Sequence, residues 1–176
     1  MAENFGTMID LLRDINTSLT GNMSFDPFGL YTISGTQSTG NNTWTTLTTL
    51  IAEAGGSYAN LSTGTITIPV GSAGYYGIFG NMQILTTGGV NYRWRCGQGF
   101  RINGGTDEMQ SYETREINPA DNNGMWDYTS WFTVRYLNDG STIQYRYFGY
   151  GDSAATVYAN YNSQLKVGFF RLPIAI

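Results

Sequence analysis

The sequence predicts an all-β domain, and three observations carry that expectation. Only 12% of the 176 residues are charged, about half the usual share, while 41% are hydrophobic. In place of the charges stand 13 tyrosines, 23 glycines and abundant threonine and asparagine. Tyrosine and threonine favour strands, and glycine and asparagine favour turns. Short apolar-polar alternations, separated by turn signals, then run along most of the chain. This length holds one ordinary domain with a core of its own.

The elements can be taken in order. In MIDLLRDINTSL, residues 8–19, Met8, Leu12, Ile15 and Leu19 recur at helical spacing, with Asp10 and Asp14 on the other face. A helix this short is marginal alone and must dock on something. The polar, Gly- and Pro-containing stretch TGNMSFDPFG follows it. Residues 1–27 therefore read as an arm that packs on symmetry mates or a larger scaffold, and residues 28–176 as the domain.

From Leu30 onward the pattern is of strands. LYTISGT is the first. NTWTTLTTLIAEAGG is dense in threonine and reads as an irregular strand rather than a helical turn. GTITIPV sets Ile66 and Ile68 on one face and ends at Pro69. GYYGIFGNMQIL follows the GSAG corner. YRWRCGQGFRI and EMQSYETREI flank an NGG turn, and NPADNNGMWD reads as a loop. YTSWFTVRYL and TIQYRYFGYG flank NDGS, a hairpin signal, and ATVYANY and QLKVGFFRLPI come last. About ten closely spaced strands suit a sandwich or jelly roll.

Charge and composition exclude several functions. The net charge is −4, with a single lysine at Lys166 and no basic patch, so no nucleic-acid partner is expected. So little charge points instead to a surface covered by partner subunits. Cys96 is the one cysteine and reads as a small buried hydrophobe. Without any histidine, catalytic schemes that depend on imidazole fall away. Asp107 with Glu108, and Glu113 with Glu116, are close acidic pairs with no activating environment.

DNNG at 121–124 and NDG at 138–140 read as turns, since they lack the later glutamate of a calcium loop. GQG and NGG lack the strand–loop–helix setting of a nucleotide site. RWR at 93–95 reads as cation–π packing, with a glycan-contacting face as the alternative. No catalytic, cofactor-binding or metal-binding residue is expected, and no enzyme. MAENFGTMIDLL lacks the basic and apolar regions of a signal peptide, and no run approaches the roughly 18 apolar residues of a membrane span. The expectation is synthesis in the cytoplasm and no membrane partner.

Three segments occur together in fixed order: TGTITIPVGSAGYYGIF, VRYLNDGSTIQYRY and LKVGFFRLP. Over residues 28–176 they resemble the C1q/TNF-like jelly-roll superfamily. With a short arm in place of a collagen stalk, the chain is similar to the C1q-like modules of bacteriophage head decoration proteins, head fibres and tail-fibre tips. The resemblance implies a homotrimer in which one sheet lines the three-fold axis.

Alternation then turns Tyr76, Ile78 and Met82 inward and Gly77, Phe79 and Asn81 outward. It likewise turns Ile143, Tyr145 and Tyr147 inward against Gln144, Arg146 and Phe148, and Phe169 inward against Phe170. Phe79, Phe148 and Phe170 are the trimer-contact candidates. Met8, Leu12, Ile15 and Leu19 are the candidates for contact with a major capsid protein or another virion protein. The function implied is a virion structural protein, a trimeric capsid decoration, cement or head-fibre protein. The alternative is the glycan-recognising tip of a tail fibre.

Overall fold

A computed structural model describes residues 27–40, 42–86, 93–116, 125–127, 130–150, 155–158 and 165–173. The arm candidates Met8, Leu12, Ile15 and Leu19, and the loop DNNG, lie outside these residues. Fifteen strands and one 3₁₀ turn, Gly56–Tyr58, run through the described part. In chain order the strands are β1 (Phe28–Ile33), β2 (Gln37–Ser38), β3 (Thr45–Thr46), β4 (Leu50–Ala54) and β5 (Ala59–Asn60). Then come β6 (Thr65–Thr67), β7 (Gly74–Asn81), β8 (Gln83–Thr86), β9 (Arg93–Ile102) and β10 (Asp107–Glu116). β11 (Met125–Asp127), β12 (Ser130–Leu137), β13 (Thr142–Tyr150), β14 (Ala155–Tyr158) and β15 (Lys166–Arg171) complete them.

Two antiparallel sheets form the sandwich. The first has the order β12-β7-β15-β1-β4. The second has the order β10-β9-β13-β6-β5, with β3 also on β13. A small third sheet, β11-β8-β14-β2, joins the connections at one end. The sequence anticipates about ten strands; the surplus is made of strands of two to four residues, too short to show a period. The threonine-rich segment splits into β3 and β4, as its density of threonine suggests.

Period-2 patterning sets the faces. Tyr76, Ile78, Met82, Val167 and Phe169 meet Ile143, Tyr145, Tyr147, Phe100 and Cys96 in one core. The expected register therefore holds on β7, β13 and β15 alike. Four core tyrosines each bring a hydroxyl that must be satisfied. Tyr145 donates to the Gly168 carbonyl at 2.5 Å, Tyr31 to Gly55 at 2.9 Å, Tyr147 to Gln37 at 3.0 Å and Tyr76 to Ser72 at 2.5 Å. Burial raises the hydroxyl pKa of Tyr31, Tyr145 and Tyr147 above the ordinary phenol value. Gln98, fully buried, accepts from the Met82 amide and the Trp131 indole, both at 3.1 Å. It thereby ties β9 to the first sheet.

The hairpin expected at NDGS is not one. β12 lies in the first sheet and β13 in the second, so the turn crosses the sandwich. Its backbone groups are satisfied by the segment after β6 rather than across a hairpin. Gly140 donates to the Ile68 carbonyl at 3.0 Å, and Ile68 donates to Ser141 at 2.9 Å. Asp139 accepts from the amides of Gly71 at 2.8 Å, Ser72 at 2.9 Å and Ala73 at 2.7 Å. Leu137 and Ile143 both reach the core, but from opposite sides. By contrast NGG does make a hairpin between β9 and β10, with Asn103 at φ 51° and Gly104 at φ 67°.

β1 starts and β15 ends side by side, where the Arg171 amide donates to the Pro27 carbonyl at 3.1 Å. The corners at 69–73 and 138–141 and the 103–104 turn share this end, since β7, β10 and β13 leave it and β9, β12 and β15 arrive.

The Gly71 amide, joined by those of Ser72 and Ala73 and by the Arg171 charge, holds the Asp139 carboxyl below the usual carboxylate range against a smaller desolvation effect. A depressed folded-state pKa stabilises above the unfolded pKa and ceases to do so as pH falls through the folded one. Asp139→Asn should therefore lower Tm at neutral pH. The gap from wild type should narrow as pH falls through the depressed folded-state pKa of Asp139; thermal melts on a descending pH series check it.

Candidate assembly face

The outer face of the first sheet carries the unusual chemistry. From β12 it presents Ser130, Phe132, Val134 and Tyr136, and from β7 Tyr75, Gly77, Phe79 and Asn81. Gly168 and Phe170 follow from β15, then Phe28 and Leu30 from β1. None of these residues is charged. Register places them in cross-strand rows: Phe132–Phe79–Gly168–Leu30 and Val134–Gly77–Phe170–Phe28.

Each row sets one glycine beside an aromatic ring, Gly168 beside Phe79 and Gly77 beside Phe170, and the placement is steric. A Cβ on Gly168 would lie 2.4 Å from Phe79 Cζ and 2.5 Å from the Gly29 carbonyl oxygen. A Cβ on Gly77 would lie 2.7 Å from Phe170 Cζ and 2.8 Å from Phe132 Cε2. The rings lie down over backbone that has no side chain of its own. Phe79 and Phe170 thus project away from the core yet are only 1% and 6% exposed. With Leu30 they form a second apolar cluster, flanked by Phe28, Ala54 and Leu172. The Phe79 and Phe170 ring centroids are 6.3 Å apart, and Phe132 stacks on Phe170 at 6.0 Å.

Around this flat floor stand exposed side chains. Phe132, Val134, Tyr136 and Tyr75 are 39–48% exposed, and Ile51, on β4, reaches 56%. Tyr75 and Tyr136 meet edge to face at 5.2 Å. The nearest charges sit at the margin. There Lys166 Nζ contacts Glu53 Oε2 at 2.6 Å and the Thr32 hydroxyl bonds to the same carboxylate. A contiguous apolar face rimmed by one ion pair is the arrangement found where proteins meet proteins.

Phe79 and Phe170, then, are brought together on this face. Phe148 is not: it lies on β13 of the second sheet, facing the opposite side of the sandwich, and packs on Trp44 at 5.4 Å. Its outward register is as expected, but outward from β13 points away from the first sheet. Sequence reasoning passed over Phe132, Val134, Tyr136, Tyr75 and Ile51. The signal was Phe132, Val134 and Tyr136 at alternate positions of WFTVRYL, an apolar set on the face opposite the core residues Trp131 and Leu137.

Asp107 and Glu108 do not make a catalytic dyad. Asp107 meets Arg146 Nε at 2.7 Å on the outer side of the second sheet. Glu108 turns the other way to Arg135 Nη2 at 2.6 Å. The Glu113, Glu116, Arg93 and Trp94 side chains lie outside the described residues. No group of three or more Cys, Asp or Glu side chains that could hold a metal ion occurs among the described residues.

No protein-family model matches the chain, and no curated protein matches it in sequence. Its fold does have a solved counterpart, the structure of Eiger TNF from S. frugiperda. The two share 10% sequence identity with a TM-score of 0.54, over 85% of this chain and 94% of that one. The domain is a TNF-like jelly-roll sandwich.

Gly168→Ala should cost about 1–3 kcal/mol, because both the Phe79 ring and the Gly29 backbone must shift. Gly35→Ala, whose Cβ would meet only Thr49 at 3.6 Å, should stay within about 0.5 kcal/mol of wild type. Denaturant titration of the pair checks the difference.

Proposed function

We propose that the chain is a non-enzymatic structural module of a virion. Three copies associate through the outer face of the first sheet, and the segment before Phe28 attaches the trimer to a major capsid protein or another virion protein. The observation that carries this reading is the uncharged ring-and-glycine face with its half-exposed rim. Covering the exposed half of five apolar side chains is worth on the order of 5 kcal/mol per subunit, before the costs of association.

The resemblance of the three sequence segments, together with the TNF-like fold, supports a trimer, and the bacteriophage setting rests on the resemblance alone. In such an assembly the mechanism is avidity. Three arms on one rigid body hold neighbouring capsid subunits more firmly than any one arm does. The protein then resides in the virion as a decoration, cement or head-fibre protein. The second reading, a glycan-recognising tail-fibre tip, draws on the Trp44–Phe148 pair beside Arg146 and Asp107 on the second sheet, where aromatic and planar polar groups meet.

Sedimentation equilibrium at micromolar concentration should return a trimer for wild type and a monomer for Phe132→Glu. A solitary wild-type species would end the assembly reading. Deleting residues 1–27 should leave a folded trimer that no longer binds particles. Hundreds of copies per purified particle fit decoration, whereas a handful with glycan-array binding fits the tail-fibre tip.

A further inference from the structure

The outer face of the second sheet lies opposite the assembly face and carries two preset groups. At one end Trp44 packs on Phe148, with ring centroids 5.4 Å apart, and both rings are half-buried. Beside them Arg146 is only 7% exposed. Its guanidinium donates to the Trp44 carbonyl at 2.8 Å, to the Asp107 carboxylate at 2.7 Å and to the Thr46 hydroxyl. Arg146 is thus committed to the fold, and it fixes the backbone that carries Trp44. At the other end stands Arg101, the cross-strand partner of Gln144. Gln144 Nε2 donates to the Thr65 hydroxyl at 2.9 Å, which orients the amide. Its Oε1 accepts from Arg101 Nε at 3.1 Å and from Nη2 at 2.6 Å. Those bonds use one edge of the guanidinium and leave the Nη1–Nη2 edge open. Asp107 pairs with Arg101 across the strands but gives its carboxylate to Arg146. Arg101 therefore has no ion pair among the described residues.

An oriented guanidinium with a free edge and no counter-charge is a fork for a carboxylate. An aromatic pair held half-open offers a surface on which the C–H face of a sugar ring can lie. Gln144 and Phe148 are four residues apart on β13, about 13 Å along a strand. That span exceeds one sugar ring and suits a short chain of them. We infer that this face binds an acidic oligosaccharide, with one ring on Trp44 and Phe148 and a sugar carboxylate on Arg101. The inference rests on the glycan reading above and names the class of sugar. Arg146 acts as a positioning residue, since its bonds run to Trp44, Thr46 and Asp107. A trimer closed through the first sheet would display three such faces, so a repeating acidic glycan would gain by avidity.

Calorimetric titration of the full chain with tetragalacturonate, tetrasialic acid and neutral maltotetraose tests the inference. At least one acidic tetramer should bind about tenfold or more tightly than the neutral one, and less tightly as salt rises. Arg101→Gln should weaken that binding by about tenfold to a hundredfold. Arg101→Lys, which keeps the charge but not the fork, should weaken it less. Trp44→Ala should cost about tenfold, and Val70→Ser, at a corner where Val70 is 89% exposed, should change nothing. Thermal melts of the variants should stay close to wild type, so that lost binding is not lost folding. Acidic tetramers that do not bind, or that bind no better than maltotetraose, would overturn the inference. So would an acidic affinity indifferent to Arg101→Gln or to Trp44→Ala. Binding of maltotetraose alone, lost in Trp44→Ala, would refute the acidic class and leave the glycan reading standing. Acidic binding by a chain present in hundreds of copies per particle would keep the inference and remove the tail-fibre tip.

Discussion

The structure depends on aromatic rings lying flat over glycine backbone in neighbouring strands. Gly77 and Gly168 receive Phe170 and Phe79 on the outer face of the first sheet, and Gly29 and Gly80 receive Phe169 and Trp131 on the inner face. A strand interior made of glycine is entropically poor and packs nothing by itself. Here each missing side chain is replaced by a ring from the adjacent strand. The sheet keeps its density and gains a surface low enough for another protein to approach. This is why a segment such as GYYGIFGN can be glycine-rich, uncharged and still the centre of a sandwich.

The inner and outer roles of the sheet follow from the same alternation. Tyr76, Ile78 and Phe169 fill the core, while Phe79 and Phe170, one residue away, build the outer cluster. Four tyrosines can lie in the interior because the sandwich offers carbonyl oxygens at its seams, and each of their hydroxyls finds one. The interior is thus polar at defined points, and those points hold the two sheets in one mutual position.

Much of this was legible in the chain. Strand positions, the inward register of β7, β13 and β15 and the NGG hairpin follow from local chemistry, which period and turn residues encode directly. Which sheet a strand joins is not local. NDGS looks like any hairpin turn, and its bonds to Ile68 and to the amides at 71–73, far away in sequence, accompany the crossing of the sandwich. The misplacement of Phe148 has the same origin: its direction along β13 was right, and the side of the molecule on which β13 lies depends on long-range pairing. The rim residues Phe132, Val134 and Tyr136 were hidden because an apolar run on an edge strand looks like core until the partner layer is known to be missing on one side.

Pro27 and Arg171 sit shoulder to shoulder, joined by a backbone hydrogen bond. A polypeptide that enters and departs at one spot occupies little room in whatever hosts it. The whole sandwich could be spliced into a surface loop of an unrelated protein, or its two tails bridged by a few residues and the chain reopened elsewhere, without bending either sheet.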